Sequence, residues 1–311
     1  FALLLVFVVS SASLLLTRLA PGDFTTEQGL NLDTATRARM RVDLGLDRPF
    51  AEQYFSWLKG AARFDFGQSM LYSRPVSAII SERAANTAIL ATLALVLATV
   101  VGLPLGIYSG TTSGPGRAIV RTLSVIGLSI PPLVGSLALV FLAARTGWFP
   151  VGGMTSSGGM DLTWSAWLSD LAQHLPMPAL ALAIPMAASL ERLQSEAIQS
   201  ALREPFVAAS EARGVDRQRA ILRHAWPVSL RPVLGLYGVM IGSLFSGSFI
   251  VEVVTSWPGL GRLMFDALKA RDLFLVAGCA ATGAFFLAAG TMIADVLLAY
   301  TDPRVGSGER A

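Results

Sequence analysis

The sequence contains little of what builds metal sites or disulfides, with one cysteine and two histidines among 311 residues. Cys279 lies within an apolar run, so neither a disulfide nor a cysteine metal site can form within the chain. His174 and His224 lie far apart in sequence and lack neighbours of the ligating types. We therefore expect no metal, no cofactor held by this chain and no catalytic residues.

Charged residues are also scarce, and this decides the class of protein. Asp, Glu, Lys and Arg supply 14% of the chain, against about a quarter in soluble domains. Apolar residues supply 53%, and the mean hydropathy is +0.58. This composition is typical of an integral membrane protein that lies in the lipid bilayer. The pI near 9.3 comes from arginines in loops, so it does not argue for nucleic acid as a partner.

Energy-coupling motifs are missing as well. No G-x-x-x-x-G-K-[ST] sequence occurs, so the chain cannot hold ATP phosphates by that device, and a transporter of this kind needs an external motor. A secondary carrier would show inverted repeats and ionisable residues within its spans, and the charge pattern argues against it. A membrane-embedded enzyme would need clustered His, Asp or Glu in the spans, where only scattered ones occur. A purely structural scaffold stays compatible with these absences.

Six apolar runs reach or approach the ~20 residues that cross a bilayer. They predict spans 1 to 6 at residues 1–20, 84–108, 118–144, 174–190, 233–251 and 273–300. Because no initiator Met is present, we expect span 1 to be N-terminally trimmed, and we favour a retained helix over a signal peptide. Residues 21–83 form a polar segment with helix-like pieces at 34–44 and 49–62, and residues 301–311 form a short tail. The predicted fold class is an all-α polytopic membrane protein, with five spans in a core at 84–300.

Several features inside the spans are candidates for a translocation pathway or gate. Pro131-Pro132 breaks span 3, and the freed carbonyls need cover from protein or from a water-filled path. The break therefore indicates either a pathway or a packing kink. Ser246 lies in span 5, whose small residues favour close packing, and Glu252 lies where that span meets its outer loop. Asp295, deep in span 6, is either a pathway residue or a helix-end residue that pairs with Arg304 or faces water.

The longest polar stretch of the C-terminal half, residues 203–232, separates spans 4 and 5 and carries six arginines. We call it the elbow. Glu204-Pro205 favours a helix start, since proline at the first helical position loses no needed donor. Gly214 is a natural stop, and Asp216 can cap a second helix that Pro227 would end. A structured basic elbow indicates a docking surface, and an ordinary basic loop explains it equally well.

Arginine also decides the predicted orientation. No Lys or Arg occurs in residues 147–190, whereas the elbow is dense in arginine. The positive-inside rule places the elbow in the cytoplasm and the tryptophan-rich loop at 147–171 outside. With six spans, both termini are cytoplasmic and residues 21–83 are external. Three cations in the loop before span 6 run against the rule, but two aspartates there partly offset them.

The elbow carries a family resemblance. Its Ala208-Ala209-Ser210 stands where the permeases of binding-protein-dependent ABC importers have a cytoplasmic E-A-A triplet, and Gly214 stands at their glycine. The chain therefore resembles that family. Ala208 departs from the usual glutamate, and the nearest acid is Glu211, one helical turn further on.

Further motifs narrow the resemblance to the B subunit of dipeptide and oligopeptide importers. LAPGD at 19–23, LGLDRPF to DFGQSM at 44–70, SWPGLGRLMFDALKARD at 256–272 and DPR at 302–304 are similar to that subfamily's motifs. Phe24 replaces the proline that usually follows the first motif, and Trp226-Pro227-Val228 replaces Leu-Arg-Asn. The matching motifs extend over nearly the whole chain.

The resemblance implies a function that the residues alone do not. It implies a type I importer-like fold in the bacterial inner membrane, forming half of a pathway for di- or oligopeptides, although similar permeases also move nickel chelates or glutathione. The implied partners are a homologous second permease subunit, two ATP-binding subunits that hold ATP and Mg, and an external substrate-binding protein. The chain itself is then not an enzyme.

The resemblance also implies roles for particular residues. The segment 205–214 becomes the ATPase-coupling helix, and Gly214 is expected to allow a turn that a Cβ would obstruct. The contact candidates on it are Phe206, Val207, Ala209, Ser210, Glu211, Arg213 and Gly214. The SWPGLG sequence either faces the binding protein or makes a tight structural turn before span 6. Its candidates are Trp257, Pro258, Gly259 and Gly261.

Overall fold

The computed structural model describes residues 2–28, 34–156 and 163–301. In these ranges the regular structure is helical, with only an isolated β-bridge between Gln68 and Pro75. The all-α prediction is confirmed. The DPR sequence at 302–304, one of the motifs that carry the family resemblance, and the rest of the tail lie outside the described residues.

Fourteen labelled helices follow one another along the described chain. In order they are α1 (Ala2–Leu19), α2 (Phe24–Gln28), α3 (Thr34–Asp43), α4 (Phe50–Ala61), α5 (Val76–Thr111), α6 (Pro115–Ser129), α7 (Pro132–Thr146), α8 (Trp164–His174), α9 (Pro176–Ala201), α10 (Pro205–Ala212), α11 (Arg217–Ala220), α12 (Trp226–Val254), α13 (Leu260–Ala270) and α14 (Leu273–Thr301). A π-helical turn, Ile221–Ala225, joins α11 to α12. The helices α3 and α4 confirm the helical pieces predicted at 34–44 and 49–62.

Four of these helical stretches are long and apolar enough to cross a membrane: α1, α5, Arg217–Leu244 and Leu273–Ile293. Two pairs meet the same criterion together but are bent, α6 with α7 by 102° and α8 with α9 by 45°. The described residues thus hold four stretches that are long and apolar enough to cross a membrane, or up to six if each bent pair is one span. The break predicted at Pro131-Pro132 is confirmed, since α6 ends two residues before it and α7 begins at its second proline.

The chain divides into two compact units. Phe1–Ala88 and Pro258–Ala288 make the first, and Ile89–Trp257 and Ala289–Ala311 make the second. In the first unit Asp272, which is 0% exposed, joins the segment before α5 to the start of α14. Its Oδ2 accepts hydrogen bonds from the Ser69 hydroxyl at 2.7 Å and the Leu71 N–H at 3.0 Å. Its Oδ1 accepts from an N–H of the first turn of α14 at 3.1 Å, so the same carboxylate caps that helix.

The second unit brings α5 and α9 together through glycines. Gly102, Gly106 and Gly110 repeat every four residues along α5 and meet α9. A Cβ on Gly102 would lie 2.6 Å from the carbonyl oxygen of Ala187, and one on Gly106 would lie 2.6 Å from Cβ of Gln194. Only glycine permits this separation, as in other helix pairs of membrane proteins that pack through small residues.

Pro227 does not end a helix, contrary to the prediction. The path from Arg217 to Val254 is continuous through α11, the π turn and α12. Proline lacks the N–H that an α-helix needs and clashes with the carbonyl four residues earlier, and a π turn widens the helix at that carbonyl. Pro227 lies at the start of α12, and Pro232 lies inside it.

Two segments predicted as loops contain helices. Part of 147–171 is α8, where Thr163 Oγ1 accepts a hydrogen bond from the N–H three residues on at 3.4 Å. Residues 157–162 of the same segment lie outside the described residues. In the loop predicted before span 6, α13 buries Leu260 and Leu263 in the first unit. Both helices are 11 residues long, so a search for long apolar runs passes over them.

Candidate functional site

The elbow helix α10 begins after an extended residue and a proline, and hydrogen bonds close its C-terminal end. Glu204 precedes it in extended backbone with ψ 140°, and Pro205 is its first helical residue. At the other end the Gly214 N–H donates to the carbonyl oxygen of Glu211 at 2.9 Å, and the next N–H donates to that of Ser210 at 3.3 Å. With φ +85° at the glycine, this is the Schellman arrangement. The start and stop predicted for this helix are confirmed.

The seven coupling candidates divide between a buried and an exposed side of α10. Val207 and Ser210 are 2% and 1% exposed. Val207 belongs to an apolar cluster with Ile198, Ala201, Ala220 and Ala225. The exposed candidates are Phe206, Ala209, Glu211, Arg213 and Gly214. The helix therefore packs one side against its own chain and leaves the other side open.

Gly214 is required by its backbone conformation. An L-residue with φ +85° brings its own Cβ against the following carbonyl, so the turn is one that a Cβ disfavours, as predicted. Beyond the backbone there is open space, since a Cβ here would meet no described atom within 4 Å. Most L-residues at this position therefore strain the turn, although their Cβ strikes no neighbour in the chain.

Buried contacts, more than charge, join α10 to the helix that leads into α12. Asp216 accepts a hydrogen bond from the N–H two residues on at 3.1 Å, which confirms the predicted cap. Arg217 Nη1 lies 3.9 Å from Glu211 Oε1, and such exposed ion pairs contribute less than about 1 kcal/mol. Val207 of α10 and Ala220 of α11 share one apolar cluster, so the two helices are packed as one body.

A cleft of about 420 Å³ lies among α7, α9 and α12. Pro132 lines it at the start of α7, together with Pro185 and Met186 of α9 and Met240 of α12. The described lining residues carry no charge, and the others are apolar residues, glycine or serine. The cleft can therefore receive a solute without forming an ion pair to it.

The other pathway candidates do not gather at this cleft. Pro131 precedes α7 and is not among the described lining residues, and neither is Glu252, which is 0% exposed in α12. The side chain of Ser246 lies outside the described residues. Asp295 is exposed on α14.

The SWPGLG turn is held by hydrogen bonds. The Pro258 carbonyl oxygen accepts from Asn86 Nδ2 at 2.8 Å and from Arg83 Nη1 at 3.3 Å. The Leu260 N–H at the start of α13 donates to Thr87 Oγ1 at 2.8 Å. Of the four candidates here, Trp257, Gly259 and Gly261 are buried and Pro258 is half-buried. These are the contacts of a structural turn, and a role toward a binding protein stays a prediction.

Sequence reasoning missed a buried polar group on α9. Glu191 is 1% exposed, and the Ser109 hydroxyl of α5 donates to its Oε1. Gln194 Nε2 donates to Ser229 Oγ of α12 at 2.8 Å. The sequence feature that could have indicated this group is Glu191 itself, the first charged residue after the apolar run at 174–190. Its partners come from distant parts of the chain, so no local pattern names them.

The sequence model described as "Binding-protein-dependent transport system inner membrane component" matches residues 102–307. The chain belongs to this family. With its apolar helices, it is therefore a multi-pass component of the inner membrane.

Relatives of similar length confirm the subfamily resemblance. The oligopeptide transport system permease protein AppB of Bacillus subtilis is 32% identical over 302 residues, which are 96% of this chain and 94% of that protein. A putative peptide transport system permease protein of Brucella suis is 31% identical over 307 residues, 98% of this chain and 96% of that one. OppB of Mycobacterium tuberculosis is 32% identical over 271 residues, 85% and 82% of the two chains.

A solved structure shares the fold. A chain from the inward-facing MetNI methionine ABC transporter superposes with a TM-score of 0.54 at 16% identity. The match covers 72% of this chain and 96% of that chain. At this identity the likeness concerns the fold alone.

Proposed function

We propose that this chain is a transmembrane permease subunit of an ATP-driven ABC importer and forms half of a pathway for di- and oligopeptides. The names of full-length relatives support the solute class, and the fold shared with an ABC transporter supports the mechanism. In this proposal the chain hydrolyses no ATP. Two partner subunits bind ATP and Mg, and a second permease subunit and an external binding protein complete the complex.

The exposed side of α10 carries the proposal. A motor that closes on ATP has to move the spans through non-covalent contact, and a short helix whose last turn is closed by hydrogen bonds transmits a push without fraying at that end. Phe206 leaves 41% of its surface open on this helix, and aromatic side chains are enriched in protein interfaces. We assign contact to Phe206, Ala209, Glu211, Arg213 and Gly214. Val207 and Ser210 hold the helix to its own chain.

The cleft beside Pro132 suits a solute whose side chains vary. Its described lining carries no charge, so it favours neither an acidic nor a basic side chain. Met186 and Met240 supply flexible thioether side chains that adapt to different shapes. Selection among peptides then belongs to the binding protein, and a homologous second permease subunit would close the open side of the cleft.

We further propose six spans, each bent pair counting as one, with both termini and residues 203–216 in the cytoplasm and 21–83 outside. Residues 217–232, predicted as the second half of the cytoplasmic elbow, begin the apolar stretch Arg217–Leu244 that is long enough to cross. The arginine asymmetry supports this orientation. The native Cys279 is 5% exposed, so introduced cysteines can be labelled selectively. A membrane-impermeant maleimide should label Thr163→Cys in intact spheroplasts and Ala209→Cys only in opened membranes. The reverse pattern would overturn the orientation.

Cross-linking tests the coupling contact directly. A bifunctional thiol reagent should join Ala209→Cys to a co-purified ATP-binding subunit, because Ala209 is exposed on α10. Val207→Cys is the matched control two residues away, since that position is 2% exposed and should not react. A complex that assembles with its ATP-binding subunits but yields no Ala209→Cys adduct would contradict the proposed contact.

A further inference from the structure

A second, polar cleft of about 190 Å³ lies between α6 and α9. Four charged residues line it, Arg121 of α6 with Glu191, Arg192 and Glu196 of α9. Two charges of each sign make the lining neutral overall. None of these residues lines the cleft beside Pro132.

The cleft lies where both helices change from charged to apolar sequence. In α6, Arg121 is the last charged residue before an uncharged run that reaches the end of the helix. In α9, Glu191 is the first charged residue after the uncharged run from Pro176. Charged side chains at the ends of apolar spans lie at the depth of the lipid headgroups.

The charges of the cleft are incompletely paired. Arg121 has no hydrogen-bond or ion-pair partner among the described residues, and Arg192 Nη2 lies 3.9 Å from Glu196 Oε1. Glu191 is 1% exposed, and its Oε2 has no hydrogen-bond partner among the residues that the structure describes. A buried carboxylate oxygen without a donor is costly, so a cationic donor in the cleft would be favoured.

Apolar surface continues from the cleft along the helices. Val125 and Leu128 follow Arg121 at four and seven residues, on the same side of α6, and are 50% and 39% exposed. Ile184 of α9 packs near Gly127 and is 43% exposed. A molecule held by its polar end in the cleft can therefore lay apolar chains on this surface.

We propose that the cleft binds the headgroup of a zwitterionic phospholipid with a primary ammonium, of the phosphatidylethanolamine class. Arg121 and Arg192 donate to its phosphate, and the lining carboxylates, Glu191 and Glu196, accept from its ammonium. The acyl chains lie along Val125 and Leu128. Because the lipid bridges α6 and α9, it stabilises their packing.

Lipid titration of the purified full chain in detergent, followed by native mass spectrometry and by Tm, tests the proposal. The probes are phosphatidylethanolamine, phosphatidylglycerol and phosphatidylcholine with identical acyl chains. Phosphatidylethanolamine should bind most tightly, because phosphatidylglycerol lacks the ammonium and the trimethylated ammonium of phosphatidylcholine donates no N–H hydrogen bond. Arg121→Gln should weaken its binding by roughly tenfold, the usual effect of losing a charge-assisted hydrogen bond.

Arg117→Gln is the matched control, because Arg117 lies one turn away on α6 and its guanidinium donates to Gln199 at 3.2 Å instead. Its lipid affinity should stay at the wild-type value. Equal binding of the three lipids, or an Arg121→Gln chain that binds as wild type does, would overturn the site. Equally tight binding of glycerophosphoethanolamine, which has no acyl chains, would assign the cleft to a soluble ligand and overturn the lipid.

Discussion

Replacing Gly214 tests whether the elbow depends on a left-handed turn. The residue has φ +85°, and no described atom lies within 4 Å of the position of a Cβ. An L-residue in this region costs about 1–2 kcal/mol, and asparagine is the residue that tolerates it best. We expect Gly214→Asn to stay near wild type, Gly214→Ala to lose about 1 kcal/mol of local stability, and Gly214→Val to lose more because it is β-branched.

This loss of stability affects the turn that closes the C-terminal end of α10, and it does not unfold the rest of the chain. One to two kcal/mol corresponds to a shift of roughly 5- to 30-fold in the ratio of closed to open elbow. Hydrogen exchange of the amides that close the helix, Gly214 or its substitute and Val215, measures this ratio in the full chain. ATP hydrolysis stimulated by a loaded binding protein, in the reconstituted complex, measures the consequence. The protection of these amides and the stimulated ATP hydrolysis should both decrease from Gly214→Asn to Gly214→Ala to Gly214→Val.

Comparing Gly214→Asn with Gly214→Val distinguishes backbone strain at this position from a steric requirement of a partner subunit. The two side chains are similar in size, so a socket on a partner that admits only glycine would reject both. Equal uncoupling by Gly214→Asn and Gly214→Val, with normal amide protection in both, would refute the left-handed turn as the reason for glycine. Gly235→Val is the control, since Gly235 lies in regular helix and also has open space around it.

Three further predictions concern packing, capping and pH. Gly106→Leu should prevent folding, because even its Cβ would lie 2.6 Å from an α9 side chain, whereas Gly235→Leu should give a normal size-exclusion profile. Asp272→Ala should lower the free energy of unfolding by roughly 2–4 kcal/mol in thermal melts, since three donors lose their acceptor. Burial raises the pKa of Asp23, but hydrogen bonds from two threonines and the charge of Arg41 outweigh it and leave that pKa below 3.8. Its stabilisation is therefore present above pH 3.8 and lost as pH falls through the lowered pKa, a loss that Asp23→Asn should lack in acid melts.

The helix ends of the elbow were predicted correctly, because they depend on residues that are close together in the sequence. Proline at 205, glycine at 214 and aspartate at 216 each act on backbone groups within a few residues, and the helix ends lie where they indicate. The break at Pro131-Pro132 was equally visible. Its angle of 102° was not, because a bend of that size depends on what the two helices pack against.

The features that were predicted wrongly or missed also have physical explanations. Pro227 was expected to end a helix, but a π turn absorbs the missing N–H, and no residue type announces such a turn. The short helix α13 was passed over because its apolar residues recur at helical spacing without forming a long run. Ser109 and Glu191 meet across 82 residues, a pairing that only the packing of α5 on α9 decides.

Gly102, Gly106 and Gly110 differ from these cases, because their spacing of four was present in the sequence. Small residues at this spacing favour close helix packing in membranes. The repeat was passed over in the sequence, and it would have indicated an interface on α5 without naming the partner helix. The structure supplies α9 as that partner.

Coupling through α10 is best tested by ATP hydrolysis of the reconstituted complex, stimulated by a loaded binding protein. Phe206→Ala removes the large exposed side chain of that helix, and Leu222→Ala removes one of similar exposure, 54%, from the π turn. We expect Phe206→Ala to abolish the stimulation without unfolding the chain, and Leu222→Ala to retain it. Full stimulation with Phe206→Ala, or a folded chain that recruits no ATP-binding subunit, would show that α10 does not couple this chain to an ATPase.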